Sequence, residues 1–521
     1  MKRLALASLL VLSACGGPVG KDQSLVLHRR LEGEPQTLNA LTATSDPENV
    51  VIALLQRNLL DYDEDLTLVP GLAESVEADE SRLVYTIRLR SGARWEDGTP
   101  ISAEDVKVTL EALLDPKTPA LYRRSLFADL ERVEVLDERT ARATFRKAYA
   151  AQRDAFNMPL LPAHVYRGTD VATNPANRRP LATGPFRLAS WDGPTIRLVR
   201  NTQYFGAAPA YEQVVLRVVP ESSAAFQGLL AGALDETRLN AAQRPEAAKA
   251  GTIRETVYDE IAYTYIAWNN RLPQFSDARV RRALTMLVDR EAIARELYAG
   301  LAKPANGPLP PGLWPHDATL RPLPHDPNAA AALLDEAGWR KGKDGLRAKG
   351  KDRLAFALAF GGASDRQRQV MEVAQRAFGQ AGIEAKLSPM EWGAFVERVD
   401  TGDYEACSLS LNLDPNPDLR PNWHSSQVPP SGMNHAFYRS PRADALMDEI
   451  AATFDRDKAR SLYAELQKVI AEDQPFTFLH TVSVAWGVRD RIENVTSSPI
   501  GLWLFWPGGA AWQPARGAKP I

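Results

Sequence analysis

The stretch Leu354-Ala355-Phe356-Ala357-Leu358-Ala359-Phe360 alternates large apolar residues with alanine, which is the period of a β-strand, and Gly361-Gly362 ends it. Ser364 then supplies a helix N-cap, Val370, Ala374, Ala377 and Phe378 recur at helical spacing, and Gly382 closes the segment. Ile383, Ala385 and Leu387 predict a second strand, Trp392 to Val399 a second helix and Tyr404 to Leu411 a third strand. The order β-α-β-α-β predicts a parallel sheet flanked by helices, because parallel neighbours need a crossover that covers the sheet face.

Working toward the N-terminus, Val214 to Val219 reads as a strand, Ser222 to Leu230 as a helix and Tyr263 to Trp268 as a strand, which makes a second α/β unit. Its first strand is expected near Leu25 to Leu27. Between these lies a region of other texture, with alternation at Leu83, Tyr85, Ile87 and Leu89 among charged turns, which predicts an inserted α+β subdomain. Ser102-Ala103-Glu104-Asp105 has the spacing of a helix cap, with Val106, Leu110 and Leu113 on one face behind it. Asp326-Pro327 starts a helix that Gly338 ends, and Val280, Ala283, Leu284 and Leu287 form another core-facing stripe.

Composition agrees with several packed units. The 521 residues suggest about three folding units at roughly 100 to 200 residues each. No apolar run reaches the roughly 20 residues of a membrane span. Lys+Arg of 62 against Asp+Glu of 65 leaves a net charge of -3, so nucleic acid is not an expected partner.

The N-terminus reads as an address. Lys2 and Arg3 precede the apolar run Leu4 to Leu12 and the small residues Ser13 and Ala14, the order of an export signal covering residues 1–14. Leu12-Ser13-Ala14-Cys15 resembles the bacterial lipobox, which implies lipidation of Cys15 and a lipid anchor at the periplasmic or extracytoplasmic face of the cell membrane. Cys407 is the other cysteine, so no internal disulfide is expected, and its alternating apolar setting predicts a buried, inert thiol.

The local motifs of catalysis are missing. The chain has no His-Glu-x-x-His, no Gly-x-Ser-x-Gly, no Cys-x-x-Cys and no phosphate loop, and its seven histidines are dispersed. Asp61, Asp63 and Asp65 imitate the start of a calcium loop, but Leu66 and Leu72 stand where that loop needs Gly and Glu. No catalytic residue, metal site or cofactor is expected, and the chain reads as a non-enzyme. Polar loops point instead to ligand binding, because in open α/β sheets ligands lie beyond the strand ends. The strand ending at Leu411 delivers Asn412, Asp414, Asn416 and Asp418, with Trp423 behind them, and the strand Tyr263 to Trp268 delivers Asn269.

Five stretches taken together resemble the extracellular solute-binding proteins of family 5, the oligopeptide- and dipeptide-binding receptors of bacterial ABC importers. They are Tyr85 to Arg90 with Trp95 and Asp97-Gly98-Thr99-Pro100; Thr183-Gly184-Pro185-Phe186 with Arg200-Asn201 and Tyr204-Phe205; Phe275 to Arg281 with Asp289-Arg290; Pro304 to Pro308; and Asp326-Pro327 with Ala337-Gly338-Trp339. The resemblance implies a two-lobed periplasmic-binding-protein type II fold with an α+β subdomain inserted in lobe I. Lobe I is then 22–60, 181–270 and 481–521, the insert 61–180 and lobe II 271–480. It implies a monomeric receptor that closes on a short peptide or other small solute and presents it to a membrane permease and, through it, to ATPase subunits. Ligand-binding positions carried over are Glu34, Tyr122, Asn269 and the loop Asn412 to Asp418, with Trp268 and Trp423 as indole surfaces. Asn416 stands where some relatives have Asp, which leaves Asp414 and Asp418 as candidates to meet a peptide ammonium. Two alternatives stay open: a non-peptide solute such as a nickel chelate, haem, opine or oligosaccharide, and an exported hydrolase on the same scaffold.

Overall fold

A computed structural model describes residues 25–516 except 363 and 431. Twelve strands join into one large sheet. In chain order they are β1 (Val26–Leu31), β2 (Phe186–Asp192), β3 (Thr195–Arg200), β4 (Gln213–Val218), β5 (Glu236–Leu239), β6 (Ile253–Asp259), β7 (Ala262–Trp268), β8 (Ala302–Pro304), β9 (Ala355–Gly361), β10 (Glu384–Met390), β11 (Ala406–Asn412) and β12 (Phe476–Arg489). The sheet order is β10-β9-β11-β7-β12-β5-β1-β4-β3-β2, with β6 and β8 also paired to β12.

The β-α-β-α-β segment folds as its alternation predicts. β9 pairs in parallel with β10 on one side and β11 on the other, and helices Asp365–Gln380 and Trp392–Thr401 make the crossovers. The Ser364 hydroxyl accepts from the Gln367 amide at 3.2 Å, supplying the cap read from the sequence. Period two then sorts the neighbouring strand between two cores. Tyr263, Tyr265 and Ala267 face one apolar cluster with Cys407 and Phe476, while Ile266 and Trp268 face another with Phe356 and Phe378. Burial pushes the Cys407 thiol pKa up, as expected of an inert core cysteine.

β12 spans both lobes. Its Phe476, Phe478 and Leu479 pack in the second lobe, and its Trp486 and Val488 pack in the first with Leu27, Leu216 and Trp503. β6 pairs with the far half of β12 and β7 with the near half, so the chain crosses between lobes at Glu260 and returns along β12. The sequence reading put that boundary at 270. The strand Ala262–Trp268 belongs instead to the second lobe, because its two faces fill that lobe's cores.

The inserted subdomain has its own four-stranded antiparallel sheet and its own core around Trp95, Phe127, Phe145 and Phe156. Its helix Ala103–Leu114 carries the cap read from the sequence, and the Asp105 carboxylate accepts the amides of Ser102 at 2.8 Å and Ala163 at 2.6 Å. Among the described residues no helix is long and apolar enough to cross a membrane.

Candidate functional site: two cavities in the interlobe cleft

The cleft between the lobes holds two cavities that share the loop after β11. The first lies beside the crossing segment and encloses about 260 Å³. Arg29, Glu32, Asp46, Arg238, Trp486 and Trp503 wall it from the first lobe, and Glu260, Ala262, Asn412 and Leu413 from the crossing and the second lobe. The loop is pinned there by the Leu413 amide, which donates to the Ile261 carbonyl at 2.9 Å.

Charges in this hinge-side cavity are only partly paired off: Arg30 Nη1 donates to Glu32 Oε1 at 3.4 Å. The Arg238 guanidinium lies 3.9 Å from Glu32, 4.0 Å from Asp46 and 3.9 Å from Glu260, all beyond good hydrogen-bond length. Burial raises the Glu260 pKa, Asp46 and Glu32 raise it further by repulsion, and Arg238 partly offsets them. Arg30 is committed to the Val219 and Pro220 carbonyls at 2.8 and 2.7 Å. Arg29 is buried at 2% exposure, donates from Nε to Glu236 Oε1 at 2.7 Å and stacks 3.8 Å over the Trp503 ring. Its Nη1 and the Trp503 Nε1 have no hydrogen-bond partner among the described residues.

The second cavity, about 300 Å³, lies where the insert meets the second lobe. Here the polar groups are satisfied. Asp154 accepts from the Tyr62 hydroxyl at 2.8 Å and from Asn416 Nδ2 at 2.9 Å, and burial raises its pKa. Asp418 accepts from the Tyr149 hydroxyl at 3.1 Å and from Arg420 Nη2 at 2.7 Å. The Ala150 amide donates to the Ala451 carbonyl at 2.9 Å, which ties the insert to a helix of the second lobe.

The positions expected to meet a ligand divide accordingly. Asn412 lines the hinge-side cavity, and Asn416 and Asp418 line the insert-side one. Asp414 is exposed between them, and Glu34 is exposed and lines neither. Three residues lie away from the cleft. Trp268 is fully buried and donates to the Thr477 hydroxyl at 3.1 Å; Trp423 is fully buried against Phe476, with ring centroids 4.4 Å apart. Asn269 donates to the Tyr404 carbonyl at 2.7 Å. The reason is strand direction. β7 runs antiparallel to β11, with Ala262 opposite Asn412 and Trp268 opposite Ala406, so the end that carries Asn269 lies at the far edge of the sheet. The end that reaches the cleft carries Glu260. Tyr122 falls on the helix Leu121–Leu126, and its side chain lies outside the described residues, as does Cys15 with the export signal.

Arg29, Arg238, Glu260 and Trp503 were missed by the sequence reading. One signal was available: His28-Arg29-Arg30 interrupts an otherwise apolar strand, and consecutive arginines in a buried strand need a reason. Ser425, adjacent to His424, donates its hydroxyl to Asp444 at 2.6 Å, while the His424 Nδ1 meets Ser426 at 2.7 Å.

Comparison with known proteins agrees with this architecture. The profile of the bacterial extracellular solute-binding proteins, family 5 Middle, matches residues 67–430. The oligopeptide-binding protein AppA of Bacillus subtilis is 28% identical over 90% of this chain and 88% of its own. Its structure in complex with a nonapeptide superposes with a TM-score of 0.77 over 94% of this chain and 99% of that one, at 27% identity. The di/tripeptide-binding protein 2 of Pseudomonas aeruginosa is 28% identical over 83% of this chain and 85% of its own. NikA of Brucella suis in complex with Fe(III)-EDTA shares the fold with a TM-score of 0.84 at 23% identity, covering 94% of this chain and 99% of that one. A profile match over most of the chain, near-full-length relatives and a two-lobed cleft together place this chain in the bacterial extracellular solute-binding proteins of family 5.

Proposed function

We propose that this protein is the substrate-binding receptor of an ABC importer, capturing short peptides between its lobes and delivering them to a membrane permease whose ATPase subunits drive uptake. The observation that carries the reading is the hinge-side cavity, walled by both lobes at the segment where the chain crosses between them. A ligand held there touches both lobes at once, so it stabilises the closed arrangement by the amount it prefers that arrangement to the open one. Relatives named for oligopeptides and for di- and tripeptides support peptide as the solute class. Anchoring through lipidated Cys15 and a monomeric state complete the proposal.

Native mass spectrometry of the chain from residue 16 onward, gently purified, tests it, with bound ligands released and identified. A ladder of short peptides is the expected result. A single non-peptide compound keeps the receptor and overturns the peptide, and an empty protein that also ignores a peptide library overturns both.

A further inference from the structure

Away from the cleft, the outer face of the first-lobe sheet carries charge that nothing in the chain cancels. Alternation sorts β1 to β4 into two faces. Leu27, Leu188, Ile196, Leu198, Val214 and Leu216 turn inward to that lobe's core, so Arg187, Arg197 and Arg217 turn outward. These four strands contain six arginines and one carboxylate, Asp192. Three of the arginines are already committed: Arg29 to Glu236, Arg30 to Glu32 and two backbone carbonyls, and Arg200 to Glu212 and the Pro209 and Tyr211 carbonyls. Among the described residues the other three have no ion-pair partner. Arg187 and Arg197 are exposed, and Arg217, half-buried, donates to the Ala233 carbonyl at 2.7 Å. Glu96 of the insert acts on Arg187 from beyond ion-pair range and itself accepts the Ala182 amide at 3.1 Å. The helix Ser222–Leu230 packs at the β5 end of this face, where Phe226 and Leu229 meet Leu239 and Ala485, and the β2–β3 end keeps its arginines in solvent. In a chain of net charge -3, three uncancelled guanidiniums on one sheet face are a local excess of positive charge.

The chain's own start lies on the same face. His28 is opposite Val215, and Val215 is opposite Arg197, so with strands about 4.8 Å apart His28 stands about 10 Å from the Arg197 backbone. Residues 16–25 separate β1 from Cys15, and ten residues span at most about 35 Å. A lipid on Cys15 keeps this face within reach of the bilayer. We propose that Arg187, Arg197 and Arg217 seat the first lobe on a bilayer of anionic phospholipid, their guanidiniums meeting the lipid phosphates. The inference rests on the anchored-receptor reading for its placement and goes beyond it by giving the receptor a membrane-facing side. Guanidinium suits that role because its planar fork matches phosphate oxygens and is weakly hydrated. All three arginines lie outside both cavities, so contact with lipid leaves the cleft open to ligand.

Sedimentation of the chain from residue 16 onward with vesicles is the test, since this form lacks Cys15 and any binding comes from the protein surface. Vesicles of equal phosphatidylglycerol and phosphatidylcholine should hold it at least about tenfold more strongly than pure phosphatidylcholine, because each basic residue at an anionic surface adds roughly fivefold. Raising the salt from about 0.05 to 0.5 M should remove the preference. Arg187→Gln, Arg197→Gln and Arg217→Gln combined should abolish it. Arg94→Gln, Arg132→Gln and Arg340→Gln combined, exposed arginines elsewhere in the molecule, should keep most of it, with circular dichroism showing that both triple variants fold. Equal binding to the two kinds of vesicle, or an equal loss in the two triple variants, overturns the inference. Palmitate labelling of the full chain in cells, compared with Cys15→Ala, reports on the anchor separately: without label the anchor falls, and the vesicles alone decide the face.

Discussion

The two cavities of the cleft share one loop and a similar size, yet their polar groups are in opposite states. On the insert side Asn416 is bonded to Asp154 and Tyr149 to Asp418 between the insert and the second lobe, at 2.9 and 3.1 Å. On the hinge side Arg238 stands off from its carboxylates at 3.9 to 4.0 Å, only Glu32 has a bonded cation, Arg30 at 3.4 Å, and two buried donors have no partner among the described residues. A satisfied network rigidifies what it joins, whereas an unsatisfied one in a cavity is poised for a group that arrives later. The insert side is therefore braced between subdomain and second lobe, and the hinge side is the one we propose takes the ligand. Reading the loop by residue type alone treats Asn412, Asp414, Asn416 and Asp418 as equivalent; their partners separate them.

The largest effect that tests this contrast falls beneath the hinge-side wall. Arg29→Met leaves the Glu236 carboxylate buried without its cation, in a pair whose side chains are 3% and 0% exposed. The first unfolding transition in urea should lose about 3–5 kcal/mol, and a loss under 1 kcal/mol removes the basis for calling Arg29 a structurally braced donor. Next comes the brace. Asp154→Ala removes the bond to the Tyr62 hydroxyl and strands the Asn416 amide, which should cost about 2 kcal/mol. If the brace holds the closed form, peptide dissociation followed by tryptophan fluorescence should quicken several-fold with association unchanged. An unchanged off-rate reduces the insert side to plain packing.

A smaller effect is set by pH. Glu260 has its pKa raised by burial and by Asp46 and Glu32, with Arg238 opposing; Arg29, Arg30 and Tyr258 are the other charged and titratable groups that line the same cavity. Because the folded value lies above the unfolded one, ionised Glu260 disfavours folding, and the ligand-free protein gains stability as pH falls through the raised value. Glu260→Gln should flatten this gain in urea unfolding followed against pH; a gain that persists in the variant assigns the titration elsewhere. The smallest effect belongs to Glu34→Gln, exposed and outside both cavities, which should change affinity by less than about twofold.

The asymmetry between what was and was not legible has a physical origin in particular residues. The helix caps at Ser364 and Asp105 and the period-two run before Gly361 depend on groups within a few residues of one another, so spacing in the chain is spacing in space. The misplacement of Trp268 and Asn269 came from another kind of quantity. Alternation says that Tyr263 to Trp268 is a strand with two buried faces, and nothing local says which way it runs beside β11. Antiparallel pairing moved one end of that strand from the cleft to the far edge and brought Glu260 in its place.

By itself the sequence determined the element order, the parallel β-α-β-α-β unit, the inserted subdomain and the motifs that mark the family, because these rest on local periodicity, capping and short motifs. Only the tertiary structure decided where the chain crosses between lobes, which carboxylates of the loop are already paired, and that Arg29, Arg238, Glu260 and Trp503 share one cavity. Those facts depend on contacts between segments as distant as Arg29 and Trp503, and on which polar groups find partners after packing. Burial and pairing decide whether a charge is structural or available, and both are properties of the folded surroundings that residue type does not carry.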